Sequence, residues 1–289
     1  MNASRPIVIA GPTASGKSDL AMRVAIEFDG EIICADSRTV YKGLDIGTAK
    51  PTAADRRRVA HHVLDVVSPA QRFSAAEFKQ RALEAIVDIK TRGKLPVIVG
   101  GTGLYIDGLI RDYNFGPKAD ADLRTSLYDM SVEELQKVIT NKKLRMPRNL
   151  NNKAHLIREI ERNGQVGKSN NDVINDYVVV GLFPEKTVLR SRIYARAESI
   201  FSSNVIEETT LVASQYGWEC PGLSGNIYPI LRRMINQEID REEAVRLFVA
   251  ADWQLARRQM TWFRRHDDFE RFETADAAYA YIVNTLKSP

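Results

Sequence analysis

The sequence predicts an α/β fold, a parallel sheet flanked by helices and carrying an inserted helical domain. Three observations carry this. Short apolar runs of strand length recur at residues 7–10, 31–35, 95–99 and 177–182. Segments with helical spacing separate them, the alternation expected of parallel strands joined by crossover helices. Between the third and fourth runs the chain turns polar and helical, with loop signals at Gly116-Pro117, Met146-Pro147 and residues 164–167.

Residues 7–10 are wholly apolar and run into Gly11, the pattern of a buried strand. In 18–28, Leu20, Ala21, Val24, Ala25 and Phe28 share one helical face. Residues 31–35 are a second strand. Ser74, with Glu77 three positions on, forms a capping box at the start of a helix over 74–91, and Gly93 suits its end. Residues 95–99 are a third strand, broken by Gly100-Gly101, and a helix starts near Leu104. Residues 177–182 return to the sheet, and the rest is largely helical, including 242–265. The expected division is 1–114 for the first part of the core, 115–175 for the insert, and 176–289 for a core strand with the C-terminal helices.

The 289 residues are 44% hydrophobic and 27% charged, enough for a sizeable core and unlike a disordered chain. No stretch approaches the ~20 apolar residues that span a bilayer. The N-terminus lacks a basic flank followed by an apolar segment and cleavage site. A cytoplasmic protein without a membrane partner, acting as a monomer, is the expectation. Cys34 and Cys220 are the only cysteines, far apart, which argues against structural zinc and fits a reducing compartment. Cys34 lies in an apolar run and reads as a small core residue.

Gly11-Pro12-Thr13-Ala14-Ser15-Gly16-Lys17-Ser18 matches the phosphate-loop pattern, and it follows a strand and opens a helix as that motif requires. The core is therefore expected to be P-loop NTPase-like. Backbone N–H groups of the loop surround a diphosphate, Lys17 adds a point charge, and the Ser18 hydroxyl is a ligand for Mg²⁺. The motif specifies a phosphate chain rather than ATP, although nucleotide (ATP) binding is its usual association. The strand over 95–99 runs into Gly100-Gly101-Thr102-Gly103 and lacks the terminal Asp of a typical P-loop ATPase. Asp36, after the second strand, is the nearest substitute. Its carboxylate faces the same crevice, either as a base or metal ligand or as a turn residue. Thr102 is either a donor to a leaving phosphate oxygen or a helix N-cap.

Net charge is +4 and the pI about 9.0, but the distribution says more. Nine Lys or Arg lie at 137, 142, 143, 145, 148, 153, 158, 162 and 168, opposed by Glu159 and Glu161, for a local net +7. That is the footprint of a nucleic-acid-binding arm, or a solvated helix face. Arg56-Arg57-Arg58 suits a surface helix. Trp218 and Trp262 suit core packing.

In combination these motifs resemble the bacterial tRNA dimethylallyltransferases, or tRNA isopentenyltransferases. The resemblance rests on the phosphate loop, then Asp36-Ser37 with Val40-Tyr41-Lys-Gly-Leu-Asp45-Ile-Gly-Thr-Ala-Lys-Pro51. It continues through His61-His62-Val-Leu-Asp65, Phe73-Ser74-Ala-Ala-Glu-Phe78, Val99-Gly-Gly-Thr102-Gly-Leu-Tyr105 and Gln259-Met-Thr-Trp-Phe-Arg264. These occur in family order over most of the chain. The segment from Asn151 to Arg158 also resembles the family.

The resemblance implies transfer of a dimethylallyl group from dimethylallyl diphosphate to N6 of the adenine 3′ of the anticodon, position 37, with Mg²⁺ and release of diphosphate. It implies Asp36 as base for the N6 proton, with Lys17, Thr102 and Mg²⁺ at Ser18 on the departing diphosphate. It further implies that Asp36, Ser37, Arg38 and Thr39 touch the adenine, flipped from its stack. Thr102 and Arg258 fall on the tRNA side, where Arg257, Arg264 and Arg265 also lie, and the insert grips the anticodon stem-loop. Three positions differ from the family's usual pattern. Thr39 stands where Gln is usual, and Trp253 where Arg is common. Ile227-Tyr228-Pro229-Ile230 replaces a Gly-Tyr-Arg/Lys-Glu-like segment whose basic residue assists the diphosphate, leaving Arg232 or Arg233 as substitutes. A small-molecule P-loop kinase and a catalytically impaired RNA-binding adaptor remain as alternatives.

Overall fold

The computed structural model describes residues 5–116, 120–165 and 177–287. Pro117, Gly167 and Lys168, and the insert's expected end at 175, lie outside them. The chain divides into two compact units, Met1–Arg111 with Asn171–Pro289, and Asp112–Asn170.

In the larger unit, strands β1 (Ile7–Ala10), β2 (Gly30–Cys34), β3 (His61–His62), β4 (Leu95–Gly100), β5 (Val178–Leu182) and β6 (Glu270–Phe272) form one sheet in the order β3-β2-β4-β1-β5-β6. Every pairing is parallel. The four long strands are buried on both faces, which is why they read as continuous apolar runs rather than alternating ones. The short edge strands β3 and β6 carry no such run and escaped the sequence.

Helices α1 (Lys17–Glu27), α2 (Ala53–Arg58), α3 (Ala75–Thr91) and α4 (Gly103–Ile110) fill the crossovers. The capping box at the start of α3 is present: Glu77 N–H donates to Ser74 Oγ, and Glu77 Oε2 accepts the Ser74 amide. Gly93 follows its end with φ 75°. Beyond 5–116, the smaller unit holds α5 (Ala121–Asp129), α6 (Val132–Asn141) and α7 (Lys153–Arg162). The larger unit resumes with β5, then α8 (Lys186–Phe201), α9 (Val205–Tyr216), α10 (Tyr228–Ile235), α11 (Arg241–Phe263) and α12 (Ala275–Lys287).

Two apolar layers sandwich the sheet. One gathers Phe78, Ile98, Ile106, Phe248 and Phe263; the other gathers Ile7, Leu20, Ile32, Val97 and Ile282. Cys34 belongs to the second, the small core residue its sequence context suggested, and its burial pushes the thiol up to about 12. Trp218 and Trp262 pack against the first. The smaller unit has its own core of Leu127, Leu135, Ile139, Leu156, Ile157 and Ile160. Its Lys137, Lys142, Lys143, Arg145 and Arg148 are exposed. Lys153 instead donates to the Tyr128 carbonyl at 2.5 Å, and Arg158 pairs with Glu161 at 3.1 Å.

Candidate active site

The phosphate loop leaves β1 at Ala10 and enters α1 at Lys17. Gly16 takes φ 92°, a left-handed conformation that admits glycine. The Lys17 ammonium donates to the Pro12 carbonyl at 3.0 Å. Burial lowers its pKa to about 8, with Asp36 pulling upward and Arg196 downward. Thr13, Ala14, Gly16, Lys17 and Ser18 line a cavity of about 630 Å³, while Gly11, Pro12 and Ser15 lie behind them.

Asp36 lines the same cavity from the carboxyl end of β2. Its Oδ1 also accepts the Arg38 amide at 2.7 Å, so it closes its own turn and faces the loop at once. Thr102 sits at the N-terminus of α4 but makes no side-chain capping bond there. Its Oγ1 instead accepts the Ser37 amide at 3.0 Å, which ties the Asp36 turn to the end of β4. The two strand ends approach so closely that a Cβ at Gly100 would collide with the Ala35 carbonyl. Thr39 lines the cavity too, whereas Ser37, Arg38 and Thr102 are not part of its lining and are tied to it through these contacts.

Thr48, Ala49, Lys50 and Pro51, in the loop that begins at Asp45, form another wall of the cavity. Glu208 of α9 accepts the amides of Asp45, Ile46 and Gly47 at 2.6, 2.7 and 2.9 Å. Lys50 is buried, with Nζ on the Tyr41 carbonyl at 2.6 Å, Asp45 at 2.7 Å and Asp65 at 2.5 Å. Two carboxylates thus match its charge, as a buried ammonium requires. Tyr228 packs its ring against Gly47 and is 1% exposed. The Tyr228–Pro229 segment therefore supports this wall and brings no charge. Arg232 binds Glu219 at 2.9 Å and Arg233 approaches Glu238 at 3.5 Å, and neither lines the cavity.

The cations that do line it beside Lys17 and Lys50 are Arg192 and Arg196 of α8. Sequence reasoning passed over them, although their i, i+4 spacing beside buried Leu189 and Ile193 signals one helix edge. Arg192 donates to the Ser15 carbonyl at 2.7 Å. Arg196 donates from one nitrogen to Thr13 Oγ1 at 2.5 Å and Asp252 Oδ2 at 2.7 Å. Asp252 is 3% exposed, and burial pushes its carboxyl up while Arg196 draws it down. Gln259, also on α11, holds the Thr13 amide and the Gly101 carbonyl at 2.8 and 3.0 Å. Arg258 is elsewhere: with Arg257, Arg265 and Trp262 it borders a separate groove.

Among the described residues no group of three or more His, Cys, Asp or Glu forms a metal cage. That is compatible with Mg²⁺, which accepts one or two protein oxygens and completes its shell with phosphate oxygens and water. Ser18 supplies such an oxygen in the cavity. Phosphate donors, a carboxylate and matched cations at one end of a parallel sheet make a site for displacing a phosphate-bearing group.

A family model described as IPP transferase matches residues 39–266. The chain is similar to "tRNA dimethylallyltransferase 1" of Citrifermentans bemidjiense, 38% identical over 91% of this chain and 90% of that protein. Its fold is similar to the full-length tRNA isopentenylpyrophosphate transferase of Bacillus halodurans, with TM-score 0.73 and 30% identity over 98% of this chain and 97% of that one. It is likewise similar to the tRNA delta(2)-isopentenylpyrophosphate transferase of Staphylococcus epidermidis, with TM-score 0.70 and 29% identity over 98% and 99% of the two chains.

Proposed function

Because the chain belongs to the IPP transferase family, we propose that it moves a dimethylallyl group from dimethylallyl diphosphate to N6 of the adenine 3′ of the tRNA anticodon, position 37. The observation that carries this reading is that Asp36 and the phosphate loop line one cavity. The adenine amine is a poor nucleophile because its lone pair is delocalised into the ring. It needs a base where the allylic carbon is delivered, and a half-buried carboxylate facing the loop fits that need.

The transfer breaks the bond between the allylic carbon and diphosphate oxygen, and the electron pair leaves with diphosphate. A carbon–N6 bond forms, and the N6 proton passes to Asp36. Loop amides and Lys17 take up the growing charge on diphosphate. Thr102 accepts the Ser37 amide and keeps its hydroxyl hydrogen for a phosphate oxygen. Mg²⁺, held through Ser18, supplies further charge neutralisation when bound. Arg38 and Thr39 flank Asp36 and suit contact with the flipped base. The exposed cations of α6 and the segment after it suit the stem-loop phosphates. A tRNA substrate supports a cytoplasmic site of action.

The test is transfer of radiolabelled dimethylallyl from its diphosphate to an anticodon stem-loop, with Mg²⁺ and without ATP. Label enters RNA carrying the target adenine and not RNA in which that base is replaced. Absence of label with ATP-dependent phosphorylation of a small molecule would instead support the kinase.

A further inference from the structure

We propose that Asp107, buried in α4, is a positioning residue for RNA binding: its carboxylate fixes the Trp262 indole, which lines an arginine-bearing groove on α11 apart from the phosphate-loop cavity. This rests on the functional reading above and extends it to a residue that touches neither substrate.

The groove encloses about 460 Å³ between Gln254, Arg257, Arg258, Thr261, Trp262 and Arg265. Three guanidinium groups and no acid line it, and Arg265 lies over the Trp262 ring at 5.9 Å. Cations around an aromatic ring suit a nucleic-acid strand, whose phosphates meet the charges and whose bases meet the ring. The groove also neighbours the turn that carries Asp36. The indole packs against Gly103 so closely that a Cβ there would collide with it, and the preceding Thr102 accepts the Ser37 amide. An RNA strand that delivers its adenine to Asp36 has this edge of α11 beside it.

Asp107 is 1% exposed. Its Oδ2 accepts the Trp262 Nε1 hydrogen at 2.7 Å and lies 3.1 Å from His266 Nε2. The other ring nitrogen fixes the state of that imidazole. A terminal nitrogen of Arg111 lies 3.0 Å from His266 Nδ1 and can only donate, so Nδ1 accepts and the ring hydrogen sits on Nε2, directed at Asp107. The same Arg111 nitrogen reaches both oxygens of Asp268, at 2.8 and 2.7 Å. The His266 ring is stacked on Phe269 at 5.2 Å. Bonds running from Asp268 through Arg111 and His266 thus hold the Asp107 carboxylate in one orientation. A carboxylate withdrawn from water is costly unless donors surround it. Here the closest donors come from the last turn of α11 and the residues just beyond it. Indole offers a single donor, so its bond to Asp107 sets which edge turns inward and what is left to the groove.

The experiment measures anticodon stem-loop affinity, diphosphate affinity, transfer kinetics and melting temperature for D107L, D107S, D107N, W262F and the D107L/W262F double variant. Leu cannot accept the indole hydrogen and Ser is too short to reach it. Both variants are expected to bind the stem-loop about tenfold more weakly, the scale of one hydrogen bond to a charged group. KM for the RNA is expected to rise by the same factor, with kcat and diphosphate affinity held. D107N presents a carbonyl oxygen where Oδ2 stands and is expected to recover most of the affinity. The double variant is expected to lose no more than W262F alone, because Asp107 acts through the indole. In the parent chain, the indole N–H resonance that W262F removes is expected to shift on adding the stem-loop and to stay in place with inorganic diphosphate. That readout requires no Asp107 variant to fold. Parental stem-loop affinity in D107L or D107S, additive losses in the double variant, or an indole resonance indifferent to RNA overturns the proposal and leaves the functional reading standing. A D107N protein as weak as D107L assigns the effect to charge and overturns the positioning role. A parent chain that binds the stem-loop but transfers no prenyl group overturns the functional reading alone, and one that binds no RNA overturns both.

Discussion

Gln259 Oε1 accepts the amide hydrogen of Thr13 at 2.8 Å, joining residues 246 positions apart and fastening the phosphate loop to α11. The same side chain donates to the Gly101 carbonyl at 3.0 Å, so one amide group spans the ends of β1 and β4. Replacing Gln259 with Leu leaves both backbone groups without a partner, a loss of about 1–3 kcal/mol. The expected result is a KM for the allyl diphosphate raised about tenfold, with tRNA affinity unchanged. Steady-state kinetics with each substrate varied in turn checks this.

Glu208 caps three consecutive amides with one carboxylate. Glu208→Ala orphans all three and loosens the wall that carries Thr48, Ala49, Lys50 and Pro51. Charged hydrogen bonds of this kind contribute about 1.5–3 kcal/mol. A melting temperature lowered by several degrees is expected, and Glu208→Gln should recover only part of it. Thermal unfolding of the two variants provides the comparison.

Lys17 gives diphosphate binding a pH dependence. Burial lowers its pKa from 10.5 to about 8, so in the free protein its charge disappears as pH rises through that value. Diphosphate requires the charged form. The dissociation constant for inorganic diphosphate is expected to be flat below pH 7 and to rise above pH 8. Lys17→Met should weaken binding throughout and abolish the step. Calorimetric titrations across this range decide it.

Glu31 gives folding its own pH dependence. Arg92 is the main cause holding its carboxyl at about 2 rather than 4.5, with His62 assisting at 2.7 Å. A depressed carboxylate pKa stabilises the fold above the unfolded value of 4.5, and that contribution is lost as pH falls from there toward 2. Arg92 is 40% exposed, so screening limits the effect to about 1–2 kcal/mol. Glu31→Gln should lose that much at neutral pH and show a shallower decline in stability on acidification, as read by denaturant unfolding at each pH.

Much of this architecture is legible in the sequence because its causes are local. The buried parallel strands announce themselves as apolar runs, the start of α3 as Ser74 and Glu77, and the phosphate loop as glycines at fixed spacing. Thr102 was readable only as a choice between cap and donor, since the Ser37 amide it accepts comes from 65 residues away. The i, i+4 spacing of Arg192 and Arg196 marks one helix edge but not what that edge faces, and Asp252 carries no local signature. They come together through the packing of α8 on α11, and only tertiary structure makes an ordinary helical arginine into a neighbour of the loop. Likewise β6, with exposed Glu270 and Arg271, lacks the buried pattern that marks a strand. Asp36 shows how two local readings can both hold: it is a turn residue by its bond to the Arg38 amide and a cavity residue by its position.

The most direct measurement compares prenyl transfer to an anticodon stem-loop by the parent chain and by Asp36→Asn at matched RNA occupancy. Asn keeps the bond to the Arg38 amide but cannot take the N6 proton. The account predicts a rate lowered about 10²–10⁴-fold with RNA and diphosphate affinities retained. Transfer by Asp36→Asn at the parental rate would contradict it, because the carboxylate beside the phosphate loop would then take no part in the chemistry.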